Sequence, residues 1–230
     1  MNLLYYTIKI KNFVKTNFNP EHGFYRLIQK GYRKYIFPAE QAAGKNQHGF
    51  ESKQALYMCS LLPKKTLDAI INYYQPKTWL DVGCGTGSAL KYVRKKGIMV
   101  MGIENSALAI RVSKLGKIMQ KHDLTQPINL QQHFDVVWCY EVAEHLPQKK
   151  ADTFINTLVF HGEIIVLSAA FPGQGGDGHI NEQPASYWIQ KMKNHGFIVD
   201  EPITKTIHAL DELYARNVHC FKKQPTVNVT

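Results

Sequence analysis

Residues 78–88 read Thr-Trp-Leu-Asp-Val-Gly-Cys-Gly-Thr-Gly-Ser, and they constrain the fold more than any other stretch of the chain. An apolar run from Trp79 to Val82 carries one acid, Asp81, and breaks into Gly83, Gly85 and Gly87. Beyond Gly87 the apolar spacing turns helical, with Leu90 and Val93 three apart, and Arg94, Lys95 and Lys96 lead into Gly97. The pattern is a strand, a glycine turn, then a helix closed by basic residues and a glycine. Glycine tolerates positive φ and has no Cβ, so such a turn lets backbone approach a ligand closely. A dinucleotide fingerprint G-x-G-x-x-G would put its third glycine where Ser88 stands. An acid two residues before the first glycine suits a ligand with a positive end better than a pyrophosphate. Both features disfavour a nicotinamide-dependent oxidoreductase.

From residue 62 onward, strand and helix patterns alternate. Leu67, Ile70, Ile71 and Tyr74 share a helical face ahead of the first strand, 78–83. A second strand, 98–104, ends in Glu104. Ser106 then caps a helix carrying Leu108, Val112 and Leu115, with Gly116 just beyond. A short third strand near 117–121 precedes Asp123 and Leu124, and a strong fourth strand spans 134–139. Ala151, Phe154, Ile155 and Leu158 form another helical face, and 163–169 is a fifth strand. Pro184 begins a helix containing Trp188 and Met192. Residues 197–199 and 218–221 are the last strands, with a helix expected near 210–215 between them. Such alternation predicts an α/β, doubly wound, mostly parallel sheet. Ligands of such sheets bind beyond the carboxyl ends of the strands, so the residues at strand ends are the candidate site.

The segment Asp81-x-Gly83-x-Gly85-x-Gly87 resembles motif I of the class I S-adenosylmethionine-dependent methyltransferases at every position. The resemblance extends over about residues 62–222. It implies a Rossmann-like fold of seven strands, the last antiparallel, with an N-terminal helical extension or lid at 1–61 and the methyltransferase domain at 62–230. It implies S-adenosylmethionine as cofactor and S-adenosylhomocysteine as product. The implied cofactor residues are Asp81, Gly83, Cys84, Gly85 and Gly87 at the turn, and Glu104 and Asn105 after the second strand. Asp123 and Leu124 follow for adenine, and Tyr140 and Glu141 border the sulfonium. Independently of family, an acid ending the second strand about twenty residues after the turn is placed to accept from both ribose hydroxyls.

After the fourth strand comes Tyr140-Glu141-Val142-Ala143-Glu144-His145, again similar to the family's segment at this point. If the chain turns helical here, Glu141, Glu144 and His145 share a face, and two carboxylates with an imidazole suit a divalent metal. The same E-x-x-E-H spacing is found in ubiquinone-biosynthesis O-methyltransferases and in small-RNA 3′-terminal 2′-O-methyltransferases. The second resemblance implies a further downstream histidine, here His179, as fourth ligand of Mg²⁺ or Mn²⁺. Without a metal, His145 or His179 is the candidate general base. Glu141, His145 and His179 are therefore the candidate catalytic residues. The loop 171–179, with four glycines, reads either as a gate over the site or as a turn without a role.

Apolar residues make up 44% and charged residues 20% of the 230, which excludes a disordered chain. No apolar run approaches the roughly 18 residues of a membrane span, and the first ten residues lack the order of a signal peptide. Cys59, Cys84, Cys139 and Cys220 form no C-x-x-C pair and read as thiols of a reducing, cytoplasmic compartment. The net charge is +10, and residues 1–50 supply +6 of it, eight Lys or Arg against Glu21 and Glu40. Tyr25, Ile28, Tyr32 and Tyr35 fall at helical spacing with Arg26, Lys30, Arg33 and Lys34 between them. This region points to an anionic partner such as nucleic acid, or to a solvated basic face. The expected activity is O-methylation of a small molecule or sugar hydroxyl. RNA methylation, including the metal-dependent 2′-O type, and a non-catalytic binding protein of the same fold are the alternatives.

Overall fold

The computed structural model describes residues 62–225. The helices, the lid and the basic stripe expected within 1–61 lie outside the described residues. The elements alternate along the chain as α1 (Lys64–Tyr74), β1 (Thr78–Val82), α2 (Ser88–Lys95), β2 (Met99–Glu104), α3 (Ala107–Ser113), β3 (Met119–Lys121) and β4 (Val136–Tyr140). They continue as α4 (Ala151–Phe160), β5 (Ile164–Ser168), α5 (Ala185–Asn194), β6 (Phe197–Val199), α6 (Glu201–His208) and β7 (Val218–Lys223). The seven strands form one sheet in the order β3-β2-β1-β4-β5-β7-β6. β7 runs antiparallel to β5 and β6, and the remaining pairs are parallel. This is the Rossmann-like architecture expected from the sequence.

Side chains alternate across the sheet, and each face is covered. Leu80, Val82, Val137, Cys139, Ile165 and Leu167 pack with Phe154, Ile155 and Leu158 of α4 and Trp188 and Met192 of α5. On the other face Trp79, Val136, Trp138 and Val166 pack with Leu67 and Ile70 of α1, Val93 of α2, and Ile203 and Ile207 of α6. Strands buried on both faces read as continuous apolar runs, which is why β1, β4 and β5 were visible from sequence. Their burial, at about 1.5–3 kcal/mol per large apolar side chain, is the main term holding the sheet together.

Two expectations are corrected. The helix near 210–215 lies earlier, at Glu201–His208, where Pro202 occupies the first turn. Residues 209–214 are turns, with Tyr214 at φ 61°, ending in a 3₁₀ turn over Ala215–Asn217. The helix expected to carry Leu115 ends at Ser113, with Ala109 and Ser113 as its buried residues. Ser106 caps that helix as expected, accepting from the Ala109 N–H at 3.1 Å.

The winding direction reverses between β1 and β4. β2 and β3 lie on one side of β1, and the chain then crosses to β4 and β5 on the other. A crevice opens at such a switch point, beyond the carboxyl ends of the strands. The glycine turn and the Glu141–His145 segment stand on its two sides.

Candidate active site

At the end of β1 the backbone of Gly83, Gly85 and Gly87 runs at positive φ (80°, 53° and 71°). The N–H groups of Gly83 and Cys84 both donate to the Ile103 carbonyl, at 2.8 and 3.0 Å, and fasten the turn to β2. A Cβ on Gly83 would lie 2.5 Å from Val142, so the segment after β4 packs directly on the turn. Gly87 caps α2 in the left-handed conformation.

Glu104 ends β2 with its carboxylate buried. Oε2 accepts from the Gly85 N–H and Oε1 from the Ser106 N–H, each at 2.8 Å. Burial raises its pKa against the lowering pull of the Ser106, Gly85 and Asn105 N–H groups. A carboxylate has about four lone-pair sites, so these three N–H donors still leave acceptor capacity for a ligand. Asp81 is buried beside it, and burial together with the Glu104 charge pushes its carboxyl well above the ordinary range. Asp123 follows β3, accepting from the Thr125 N–H at 2.9 Å, with Leu124 buried next to it. Tyr140, expected in the cofactor site, instead stacks on Trp138 (5.0 Å, 4°) and donates its hydroxyl to the Leu213 carbonyl at 2.7 Å. The side chain belongs to the core face under α1 and α6.

The Glu141–His145 segment does not form one helical face. Glu141 takes left-handed backbone (φ 55°), and only Ala143–His145 form a 3₁₀ turn. The Glu141 carboxylate accepts from Ser168 Oγ (2.7 Å), Asn217 Nδ2 (3.0 and 3.2 Å) and Gln174 Nε2 (3.3 Å). Ligating atoms of Glu144, His145 and His179 lie within 4.8 Å of one another, and Glu141 stands outside that group. Thus three of the four expected metal residues converge, while the fourth is held by neutral donors.

Glu144 is fully buried, and neither carboxylate oxygen has a hydrogen bond of good geometry, although the N–H groups of Glu144 and Ala170 lie close enough to pull its pKa down. Burial, reinforced by Glu141, pushes its carboxyl up to about 9. His179 Nε2 lies 4.0 Å from Glu144 Oε1, and its Nδ1 is 2.8 Å from Glu182 Oε1. The two imidazoles meet edge to face at 4.9 Å. His145 Nδ1 is 3.2 Å from the Gly178 carbonyl, and burial with the neighbouring His179 pushes its pKa down to about 4. A neutral imidazole of this kind is a good ligand and a weak base, which disfavours His145 as general base.

A buried carboxylate without a good donor is expensive, and either a proton, as its raised pKa shows, or a cation can compensate it. One carboxylate and two imidazoles, each with Nδ1 turned to a backbone carbonyl or a carboxylate, form a donor set that suits a divalent transition ion. Motif reading missed Ser168, Gln174, Glu182 and Asn217, which arrive from β5, the glycine loop and the segment before β7. Of these, Asn217 also lines a recess together with Phe171, Gln183, Trp188 and Arg216.

The chain is similar to known methyltransferases. A family model described as a methyltransferase domain matches residues 52–158. The ubiquinone biosynthesis O-methyltransferase of Nitrosomonas europaea is 33% identical over 89 residues, 35% of this chain and 38% of that protein. The chain thus spans about a third of the length of the first such relatives, 32–38%. The ubiquinone biosynthesis O-methyltransferase of Klebsiella pneumoniae is 30% identical over 180 residues, 66% of this chain and 72% of that protein. The sugar N-methyltransferase KedS8 of Streptoalloteichus superposes with a TM-score of 0.61 at 13% identity, covering 76% of this chain and 94% of its own. Other structures of the same fold hold S-adenosylmethionine or S-adenosylhomocysteine. On the 72% span of the Klebsiella relative, and with the fold in agreement, the chain belongs to the class I S-adenosylmethionine-dependent methyltransferases.

Proposed function

We propose that this chain transfers the methyl group of S-adenosylmethionine to a hydroxyl oxygen of a small molecule or sugar, with a divalent cation at Glu144, His145 and His179. The observation that carries the oxygen acceptor and the cation is the Glu144 carboxylate, fully buried without a well-formed hydrogen bond and set against two imidazoles. An amine acceptor attacks with its own lone pair. A hydroxyl must lose its proton, and it gains from a group that stabilises the developing alkoxide. The curated relatives matched above are named as O-methyltransferases, which supports the same acceptor atom.

In this reading the cofactor lies across the glycine turn. Glu104 receives the ribose hydroxyls on its remaining lone pairs, and Asp123 with Leu124 borders the adenine. Asp81 and Glu141 stand on either side of the crevice, where the positive sulfonium would be held. In the transfer, the acceptor oxygen forms a bond to the methyl carbon as the carbon–sulfur bond breaks, the electron pair stays on the sulfur of S-adenosylhomocysteine, and the acceptor proton passes to solvent. Little covalent help is needed, so alignment of oxygen, methyl and sulfur contributes most of the acceleration. A cation bound at the cluster would lower the pKa of the acceptor hydroxyl. Imidazole ligands favour Mn²⁺ over Mg²⁺ here. The chain's own part is to present Glu144 and the two imidazoles and to fix Glu141 through Ser168, Asn217 and Gln174.

The test is methyl transfer from labelled S-adenosylmethionine to a panel of hydroxyl-bearing compounds, with and without a chelator. The expected result is transfer to oxygen that falls at least about tenfold with chelator, returns with Mn²⁺, and is lost in Glu144→Gln. Transfer unaffected by chelator would overturn the cation; transfer only to amines would overturn the oxygen acceptor.

A further inference from the structure

The glycine loop between β5 and α5 is not merely adjacent to the histidine cluster; it is built onto it. Glu182 accepts three N–H donors at once. These are the Gly173 N–H at 2.7 Å, the Gly175 N–H at 2.6 Å and His179 Nδ1 at 2.8 Å. Two of these fix loop backbone, and the third sets the tautomer of His179, turning Nε2 toward Glu144. The same loop reaches the second imidazole, because the Gly178 carbonyl lies 3.2 Å from His145 Nδ1. Gln174 of the loop donates to Glu141 and accepts from Asn217. At the far end, the N–H groups of Ile180 and Asn181 donate to the Glu144 carbonyl at 2.9 and 3.0 Å. Gly176 lies so close under His179 that a Cβ there would collide with the imidazole.

We infer that Glu182 is a positioning residue that couples cation binding at Glu144, His145 and His179 to the ordering of loop 171–178. The inference rests on the cation reading above. The physical reason is shared hydrogen bonding: one carboxylate cannot release the loop without also releasing the imidazole. A cation that pulls His179 Nε2 toward Glu144 fixes the ring. The fixed Nδ1–H then holds Glu182 in the position where it receives Gly173 and Gly175. Conversely, an acceptor that closes the loop tightens the cation, since coupling between two sites is reciprocal. The loop borders the recess of Phe171 and Trp188, so its ordering would complete one wall of the acceptor site.

The test is amide hydrogen exchange by mass spectrometry on the full chain, with and without Mn²⁺, alongside calorimetric titration with Mn²⁺. In the wild type, exchange over 171–179 is expected to slow at least about tenfold with Mn²⁺, while β1, β4 and β5 stay unchanged and serve as the internal control for folding. Glu182→Gln is expected to bind Mn²⁺ about 10–100-fold more weakly and to lose the slowing, in line with other carboxylates that orient a ligating histidine. Gly176→Ala keeps Glu182 but displaces the His179 ring, and is expected to lose the same Mn²⁺ affinity. Mn²⁺ binding without a change in loop exchange would overturn the coupling and leave the cation reading standing. So would wild-type Mn²⁺ affinity in Glu182→Gln. No Mn²⁺ heat in the wild type would overturn both.

Discussion

Gly102 lies in the middle of β2, and a Cβ built there would stand 2.5 Å from Leu90 Cδ1 and 2.6 Å from Cys84 Sγ. Its φ is not in the left-handed region, so the requirement is space and not backbone freedom. Cys84 belongs to the glycine turn, so a side chain at Gly102 would press on the turn from beneath. Gly102→Ala is expected to cost roughly 1–3 kcal/mol of stability and to weaken S-adenosylhomocysteine binding, read by urea denaturation and calorimetry. Asp135 offers a pH-dependent case at the opposite end of the sheet. It accepts from the Lys77 and Thr78 N–H groups at 2.7 and 2.9 Å. Burial alone would raise its pKa, but these N–H donors outweigh it and hold the carboxyl below the ordinary value. A carboxyl lowered by folding stabilises above its unfolded pKa, and that contribution is lost as pH falls through the folded pKa. Asp135→Asn is therefore expected to cost about 1 kcal/mol at neutral pH, a gap that closes below the carboxylate range.

At the scale of elements, the short helix α3 depends on its cap. Ser106→Ala removes the bond to the Ala109 N–H and is expected to lower stability by about 1 kcal/mol, seen as a shift in the thermal midpoint. The Glu141 turn depends on partners from three segments. Asn217→Ala leaves Ser168 and Gln174 to hold a buried carboxylate in left-handed backbone. It is expected to reduce turnover at least about tenfold with smaller change in cofactor affinity, read as a split between kcat and the S-adenosylmethionine KM. The parallel strands were readable because burial on both faces makes them uninterrupted apolar runs. The misplaced helix shows the limit of periodicity: Leu210, Leu213 and Tyr214 carry helical spacing, yet the helix starts at Glu201 and Pro202, more than two turns upstream. The site divides in the same way. Glu144 and His145 are neighbours in sequence and were legible as a pair. Ser168, Gln174, Glu182 and Asn217 were not, because β5, the loop and the return of β7 bring them together only in the folded sheet.

For the whole molecule, the strand order decides where chemistry happens. The switch between β1 and β4 faces the glycine turn toward the Glu141–His145 segment, and the antiparallel β7 returns Asn217 to the same edge. No helix among the described residues is long and apolar enough to cross a membrane. Cys84, Cys139 and Cys220 are buried and form no disulfide, as their spacing led us to expect. Six of the ten net positive charges lie in residues 1–50, so a nucleic-acid partner is a question for that region and not for the sheet. The central claim is that the turn after β1 and the acid after β2 form one cofactor site. Calorimetric titration of the full chain with S-adenosylhomocysteine tests it most directly. The account predicts micromolar or tighter binding, weakened at least about tenfold in Glu104→Ala through loss of the acceptor and of the bonds that hold Gly85. A folded protein that gives no heat, or a Glu104→Ala protein that binds as well as the wild type, would contradict it.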